Sequence, residues 1–321
     1  MKRALVAAAV VAISATILTA QSAIQVDPAL PSYQRVSGVS GSLTSVGSDT
    51  MNNMMTLWAE TFRKMYPNVK IQIEGKGSGT APPALIAGTA QFGPMSREMK
   101  PGEADQFETK YGYKPTMLKT SYDALAVWVN KDNPLKSITL AQADAIFGKA
   151  RKRGEKANLT TWGQLGLTGE WANRPISLYG RNSASGTYGF FKEHVLVNGD
   201  YKDTVKEQPG SASVVQGVTE DRFAMGYSGI GYKTSGVRAL PLADKGAAIN
   251  GTYENVKSGA HPLWRFLYIY VNKGPGKALD PIVAEFVKLI FSKEGQQVVV
   301  KDGYMPLSAA QCQQELAKIL K

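Results

Sequence analysis

Three short stretches of this chain place glycine and hydroxylated residues where a strand-like run gives way to a helix: Gly47-Ser48-Asp49-Thr50, Gly77-Ser78-Gly79-Thr80 and Ser185-Gly186-Thr187. The first turn of a helix leaves backbone N–H groups without intrahelical partners and carries the positive end of the helix dipole. Ser and Thr hydroxyls add short donors, and glycine lets the main chain approach closely. A turn of this kind suits an anion. Taken singly, each is more simply an ordinary helix cap. Three of them, all after strands, point to one site, because open parallel sheets collect such turns at the carboxyl ends of their strands, where ligands bind.

Two arginines stand beside this chemistry. Arg181 lies four residues before Ser185, and Arg97 follows Ser96. Guanidinium groups make bidentate, charge-assisted bonds to tetrahedral oxyanions. The competing reading of each is a surface ion pair, and it weighs more heavily on Arg97. The candidate anion-binding set is therefore Ser48, Asp49, Thr50, Ser78, Gly79, Ser96, Arg97, Arg181, Ser185, Gly186 and Thr187. Micromolar capture needs about −8 kcal/mol. Charge-assisted hydrogen bonds contribute roughly 1.5–3 kcal/mol each, so about eight to ten donors suffice even after association costs. No metal or other cofactor is called for.

The elements that must position these residues alternate along the chain. Leu43–Val46 reads as a strand, and Met51, Met54, Met55, Trp58, Phe62 and Met65 recur at helical spacing up to Pro67. Such a stripe belongs to a core. Val69, Ile71 and Ile73 alternate as a strand. Pro82 and Pro83 then open a helix that ends at Gly88, and Phe92-Gly93 leads to a loop through Arg97. This is the βαβαβ order of a parallel sheet covered by helices. Further on, Thr116–Val129 reads as two strand-like runs around Ser121-Tyr122-Asp123, and Leu140–Phe147 as a helix. Pro175–Tyr179 reads as a strand, with a helix after Thr187 and another capped by Ser213. Ala224–Tyr227 and Leu263–Val271 read as strands, and Asp280–Phe291 and Lys293–Lys301 as amphipathic helices.

Composition narrows the class. The chain has 321 residues, 43% hydrophobic and 20% charged, which is ordinary for a soluble globular protein large enough for two lobes. A formal charge of +11 favours anionic partners without naming them. Lys2 and Arg3, an apolar run from Ala4 to Ala20 and the small residues Ala20, Ser22 and Ala23 form the layout of a cleaved secretory signal. The alternative, a membrane anchor, fits less well with so many alanines. The lone Cys312 forms no internal disulfide, and two histidines, His194 and His261, argue against a metal cage or a histidine-dependent triad. The Gly75–Thr80 stretch lacks the endings of dinucleotide and nucleotide loops, and no Gly-x-Ser-x-Gly elbow is present. Arg151-Lys152-Arg153 has no interleaved aromatics, so it reads as a solvated loop and not as a nucleic-acid contact.

Five segments carry a resemblance: GSDTM (Gly47–Met51), EGKGSGTAPP (Glu74–Pro83), QFGPMSREM (Gln91–Met99), YGRNSASGTYGFF (Tyr179–Phe191) and GYSGIGY (Gly226–Tyr232). From Leu43 onward the chain resembles the PstS-type phosphate-binding proteins of phosphate ABC transporters. The fourth segment is the most specific, since it joins the arginine to the Ser-Gly-Thr helix start at the family's spacing. The resemblance implies a type II periplasmic-binding-protein fold, an α/β protein of two lobes closing on a dehydrated phosphate. It places Ser78 at the second helix start, Asp49 or Thr50 at the first, and Arg181, Ser185, Gly186 and Thr187 on the opposite lobe.

The chain departs from the family where many members carry an aspartate after Phe-Gly, which accepts the phosphate proton and repels sulfate. Here the sequence runs Pro94-Met95-Ser96-Arg97, and Asp49 is the carboxylate within the small-residue turns that could stand in. The expected organisation is a signal at 1–23, a mobile lead-in at 24–42, lobe 1 at 43–118, lobe 2 at 119–238 and a return to lobe 1 at 239–321. The expected protein is periplasmic and monomeric, takes inorganic phosphate to a membrane permease, binds no nucleic acid and is not an enzyme. Another oxyanion such as sulfate or molybdate, a secreted phosphatase and a basic adhesion protein stay open as alternatives.

Overall fold

The computed structural model describes residues 24–320, so the expected signal segment at 1–23 lies outside it. The chain begins with β1 (Ser42–Val46), α1 (Asn52–Met65), β2 (Lys70–Glu74), α2 (Ala81–Ala87), β3 (Phe92–Met95), α3 (Pro101–Tyr111) and β4 (Thr116–Asn130). It continues through β5 (Ile138–Thr139), α4 (Leu140–Phe147), β6 (Ser177–Arg181), α5 (Gly186–His194), β7 (Val205–Gln208) and α6 (Ser211–Glu220). Next come β8 (Ala224–Gly229), β9 (Val237–Ala239), β10 (Leu242–Ala243) and α7 (Tyr253–Lys257). The last elements are β11 (Trp264–Val271), α8 (Pro281–Ile290), α9 (Lys293–Lys301) and α10 (Ala309–Leu320).

Local chemistry accounts for most of these limits. The helical stripe of α1 buries Met54, Met55, Trp58 and Phe62, and Phe62 meets Phe286 of α8 edge-on at 5.2 Å. Prolines occupy the first turn of α2, and Gly88 ends it at φ +73°, a left-handed conformation that glycine adopts without strain. Asp280 accepts the Ile282 N–H to start α8, and Ser292 accepts the Gly295 N–H to start α9. Helix α6 departs from expectation. Its cap residue is Gly210, three residues before the expected cap Ser213, and the helix begins at Ser211.

The sheet runs in the order β2-β1-β3-β11-β4-β8-β6-β7, with β9 also beside β4. β1 is parallel to β2 and β3, and β6 is parallel to β7 and β8. Strand β11 runs antiparallel between β3 and β4. The two strand-like runs expected in 116–129 are one strand of 15 residues. Its polar Ser121 and Asp123 interrupt the apolar pattern but are buried within it.

Two hydrophobic cores share that strand. Leu118, Tyr122 and Ala124 pack with Met54, Trp58, Leu267, Phe286 and Val299 in the first core. Leu125, Val127 and Val129 pack with Phe147, Trp162, Phe191, Met225, Leu240, Leu242 and Leu263 in the second. β4 therefore passes from one core to the other between Ala124 and Leu125. The chain returns between Leu263 and Trp264, and the Leu125 N–H donates to Leu263 O at 2.9 Å across the two crossings. The boundary expected at 118/119 falls inside the first core, and that expected at 238/239 falls within β9, beside β4. The segment 24–42, expected to be a mobile lead-in, is a strap on the first core. Leu30 is buried there, the Tyr33 hydroxyl donates to Glu285 at 2.7 Å, and the Lys293 N–H donates to Pro31 O.

Candidate functional site

The three small-residue turns converge where the two lobes meet. Gly47 and Ser48 follow β1, Ser78 precedes α2, and Ser185-Gly186-Thr187 opens α5 from the opposite lobe. The hydroxyls of Thr50 and Thr187 lie 3.0 Å apart, those of Ser78 and Ser96 3.3 Å, and those of Ser96 and Thr187 3.5 Å. All four residues are fully buried. Ser78 does not cap its own helix. Its hydroxyl oxygen accepts the Ser96 N–H at 3.0 Å, tying the second turn to the end of β3. Ser185 is a cap as well as a site residue, since its oxygen accepts the N–H groups of Thr187 and Tyr188.

Glycine is required where the lobes touch. A Cβ on Gly186 would stand 2.3 Å from Ser78 Oγ and 2.6 Å from Ser96 Oγ. Gly77, at φ +115°, lies so close to Ala184 O that a Cβ would be 2.5 Å from it.

Two buried arginines flank the hydroxyls. Arg181, at the end of β6, donates through Nη1 to Ser211 Oγ at 2.6 Å and through Nη2 to Pro209 O at 3.2 Å. It also pairs with Asp49 Oδ2 at 3.2 Å, and its Nε is buried with no hydrogen-bond partner among the described residues. Burial pushes the Arg181 pKa down, with Asp49 opposing the shift. Asp49 Oδ2 also accepts the Ser211 N–H at 2.8 Å, so a carboxylate from one lobe sits on the first turn of α6 in the other. Arg265, on β11, forms a second pair with Asp123 on β4 at 2.7 Å. Asp123 is completely buried, and the loss of solvent raises its pKa against the pull of Arg265.

Three of the expected residues are committed elsewhere. Arg97 makes a bidentate pair with Glu103, at 2.8 and 2.7 Å, and donates to Glu98 O, so the ion-pair reading holds for it. The Gly79 N–H, expected to be a free donor, is taken by Ala184 O at 2.9 Å. Ser48 braces the first turn through its main chain, donating to Pro94 O and accepting from Met51, and its side chain makes no cap bond.

Sequence reasoning missed Asp123, Ser211, Tyr232, Tyr304 and Arg265. The hydroxyls of Tyr232 and Tyr304 donate to Asp49 O and Thr50 O, both at 2.9 Å, and hold the first turn in place. The available signal for Arg265 was a charged residue inside an otherwise apolar strand, whereas Asp123 comes shortly after the polar run Lys119-Thr120-Ser121 and stood out less. A cavity of about 910 Å³ adjoins the cluster, lined in part by Ser185, Arg265, Lys119, Tyr188 and Trp264.

A family model described as a PBP superfamily domain matches residues 33–294. The phosphate-binding protein PstS of Pseudomonas aeruginosa is 57% identical over 311 residues, covering 96% of each chain. The chain belongs to the PstS family of the PBP superfamily. More distant PstS relatives persist in other lineages, with the Staphylococcus epidermidis protein 29% identical over 262 residues, 80% of this chain and 76% of that one. A substrate-binding protein assigned to a phosphate ABC transporter of Clostridium perfringens, solved with bound phosphate, superposes with a TM-score of 0.71. It is 25% identical and covers 83% of this chain and all of its own. An ABC-type phosphate transport receptor from Vibrio cholerae, 22% identical, shares the fold with a TM-score of 0.64 over 83% of this chain and all of its own. The PstS-family fold, two α/β lobes with a cleft between them, is thus established for this sequence. Among the described residues no helix is long and apolar enough to cross a membrane.

Proposed function

We propose that this chain captures inorganic phosphate between its lobes and delivers it to the permease of a phosphate ABC transporter. The observation that carries this is the closure of Gly186 onto the hydroxyls of Ser78 and Ser96, which brings turns from both lobes around one buried, donor-rich point. The anion's donors in this reading are the hydroxyls of Thr50, Ser78, Ser96, Ser185 and Thr187, the Gly186 amide at the start of α5, and the guanidinium of Arg181, since Ser185 already takes the Thr187 and Tyr188 N–H groups. The Nε of Arg181 supplies one N–H that has no partner among the described residues. A dehydrated oxyanion would satisfy these buried donors, which are costly to leave unpaired.

Selectivity over sulfate rests on an acceptor for the phosphate proton. Asp49 takes that role in this proposal. Its Oδ2 is occupied by Ser211 and Arg181, and Oδ1 is the atom that would receive the phosphate hydroxyl. The protein acts as a carrier and not as a phosphatase. In support, neither histidine makes a hydrogen bond to these hydroxyls among the described residues: His194 stacks on Phe190 with centroids 4.0 Å apart and bonds to its carbonyl, and His261 accepts the Leu263 N–H. Export to the periplasm through the 1–23 segment and a monomeric state complete the proposal.

Calorimetry of ligand-stripped protein with phosphate, arsenate, sulfate and molybdate tests it. Tight phosphate binding with arsenate close behind and sulfate much weaker is the expected result. A preference for sulfate or molybdate, or no binding at all, would overturn it.

A further inference from the structure

Arg265 stands at the crossing between the lobes. It pairs in register with Asp123, and the next pair along, Trp264 with Ala124, is the last before both strands enter the second lobe. Its Nε donates to Asp123 Oδ2 at 2.8 Å, and Nη2 reaches the same oxygen at 2.7 Å. Nη1 donates to Ser96 O at 2.7 Å in the first lobe, and Nη2 donates to Thr187 Oγ1 at 2.9 Å in the second. The guanidinium also lies over the Phe190 ring of α5, 5.2 Å from its centroid. One side chain rooted at the crossing thus touches both lobes.

These contacts use one N–H on Nε, one on Nη1 and two on Nη2. The guanidinium fork carries five, so one Nη1 hydrogen is left for an anion seated among the hydroxyls. Arg265 already bonds to the Thr187 hydroxyl, which in turn meets Thr50 and Ser96.

We infer that Arg265 is a second guanidinium of the anion site and couples occupancy to closure, with Asp123 as the positioning residue that aims it. Rotation of the lobes about 124/125 and 263/264 separates Ser96 from Thr187, and a side chain at the crossing can hold both only when the cleft is shut. An anion that draws on the same fork favours the shut arrangement, which is the differential interaction a ligand-driven closure needs. Asp123, fixed by two contacts from Arg265 and by the Ile230 N–H at 3.3 Å, orients the fork. This inference rests on the phosphate reading above.

The test uses the full chain stripped of ligand. Arg265→Lys keeps a positive charge beside Asp123 but removes the fork. Phosphate affinity is expected to fall about 10- to 100-fold, the loss of one or two charge-assisted bonds, mainly through faster release in stopped-flow displacement. The phosphate-induced compaction seen by small-angle scattering should shrink with it. Asp123→Asn should weaken binding about fivefold to tenfold in the parent and far less in the Arg265→Lys background, a coupling that a purely structural role for Asp123 would not produce. Should either single variant fail to fold, the charge-neutral pair Asp123→Asn with Arg265→Gln carries the same affinity and compaction measurements. Unchanged affinity and release in Arg265→Lys, with phosphate bound normally by the parent, would sink the inference alone. A parent that binds no phosphate would sink the reading beneath it.

Discussion

Arg181–Asp49 and Arg265–Asp123 flank the same hydroxyl cluster, yet they are assembled differently. The first joins residues from opposite lobes, and the Asp49 side chain remains 21% exposed. The second joins register neighbours on adjacent strands, with side chains 2% and 0% exposed. A cross-lobe pair is desolvated each time the cleft shuts, whereas a cross-strand pair is desolvated once, on folding. Buried pairs of either kind are weak sources of stability, because removing charge from water offsets much of the attraction. What separates the two pairs is when they form. One is part of closure, and the other is a fixture against which closure is measured.

The sharpest way to break this comparison is to block closure without touching either pair. Gly186→Ala should place a methyl among the Ser78 and Ser96 hydroxyls only when the lobes meet, so phosphate binding should drop by more than 100-fold in calorimetry. The thermal midpoint should hardly move, because the open form relieves the clash. Arg181→Met comes next. It removes donors to the anion and strands Asp49 at the first turn of α6, and about a 100-fold loss of phosphate affinity is expected.

Asp49→Asn is subtler. Phosphate affinity should fall about tenfold while sulfate gains, so the phosphate-to-sulfate ratio collapses. An unchanged ratio would reject Asp49 as the proton acceptor.

The smallest effect concerns a buried acid that has no arginine. Asp302 accepts a hydrogen bond from Asn53, its Oδ2 has no partner among the described residues, and burial pushes its pKa up to about 6. Between its ordinary value and about 6 the folded carboxyl holds a proton that the unfolded chain has released. Stability from this group therefore falls as pH rises through that window. Asp302→Asn should flatten that fall in denaturation curves recorded between about pH 4 and 6.5. Among the slopes then left is that of His261, which burial pushes down to about 4. It has the opposite sign, with stability lost as pH drops from the ordinary histidine value toward 4. Phosphate affinity at neutral pH should not change.

Much of the first lobe was legible because its signals are local. The α1 stripe, the alternation of β2, the prolines of α2 and the caps of α8 and α9 each follow from the order of neighbouring residues. Helices α3 and α10 went unread although each carries a local start signal, Pro101 and the Ser308–Gln311 pair, and α6 was started three residues late because its cap, Gly210, has no side chain to read. Of the residues that the structure brings together at the proposed site, Ser78, Arg181 and the Ser185–Thr187 turn were singled out from composition and position beside strands. Arg97 was misplaced because its bidentate partner, Glu103, lies on the unread α3.

The sequence by itself determined the alternation of strands and helices and the donor-rich chemistry of the small-residue turns, which suits an anion, since these depend on residue type and short-range spacing. Only the tertiary structure decided which donors remain free. Gly79 lost its amide to Ala184, Ser78 turned its hydroxyl toward Ser96, and Arg265 and Asp123, far apart in the chain, became neighbours at the crossing. A hydrogen bond is exclusive and short, so who holds it is settled by the meeting of distant segments, which no local pattern records.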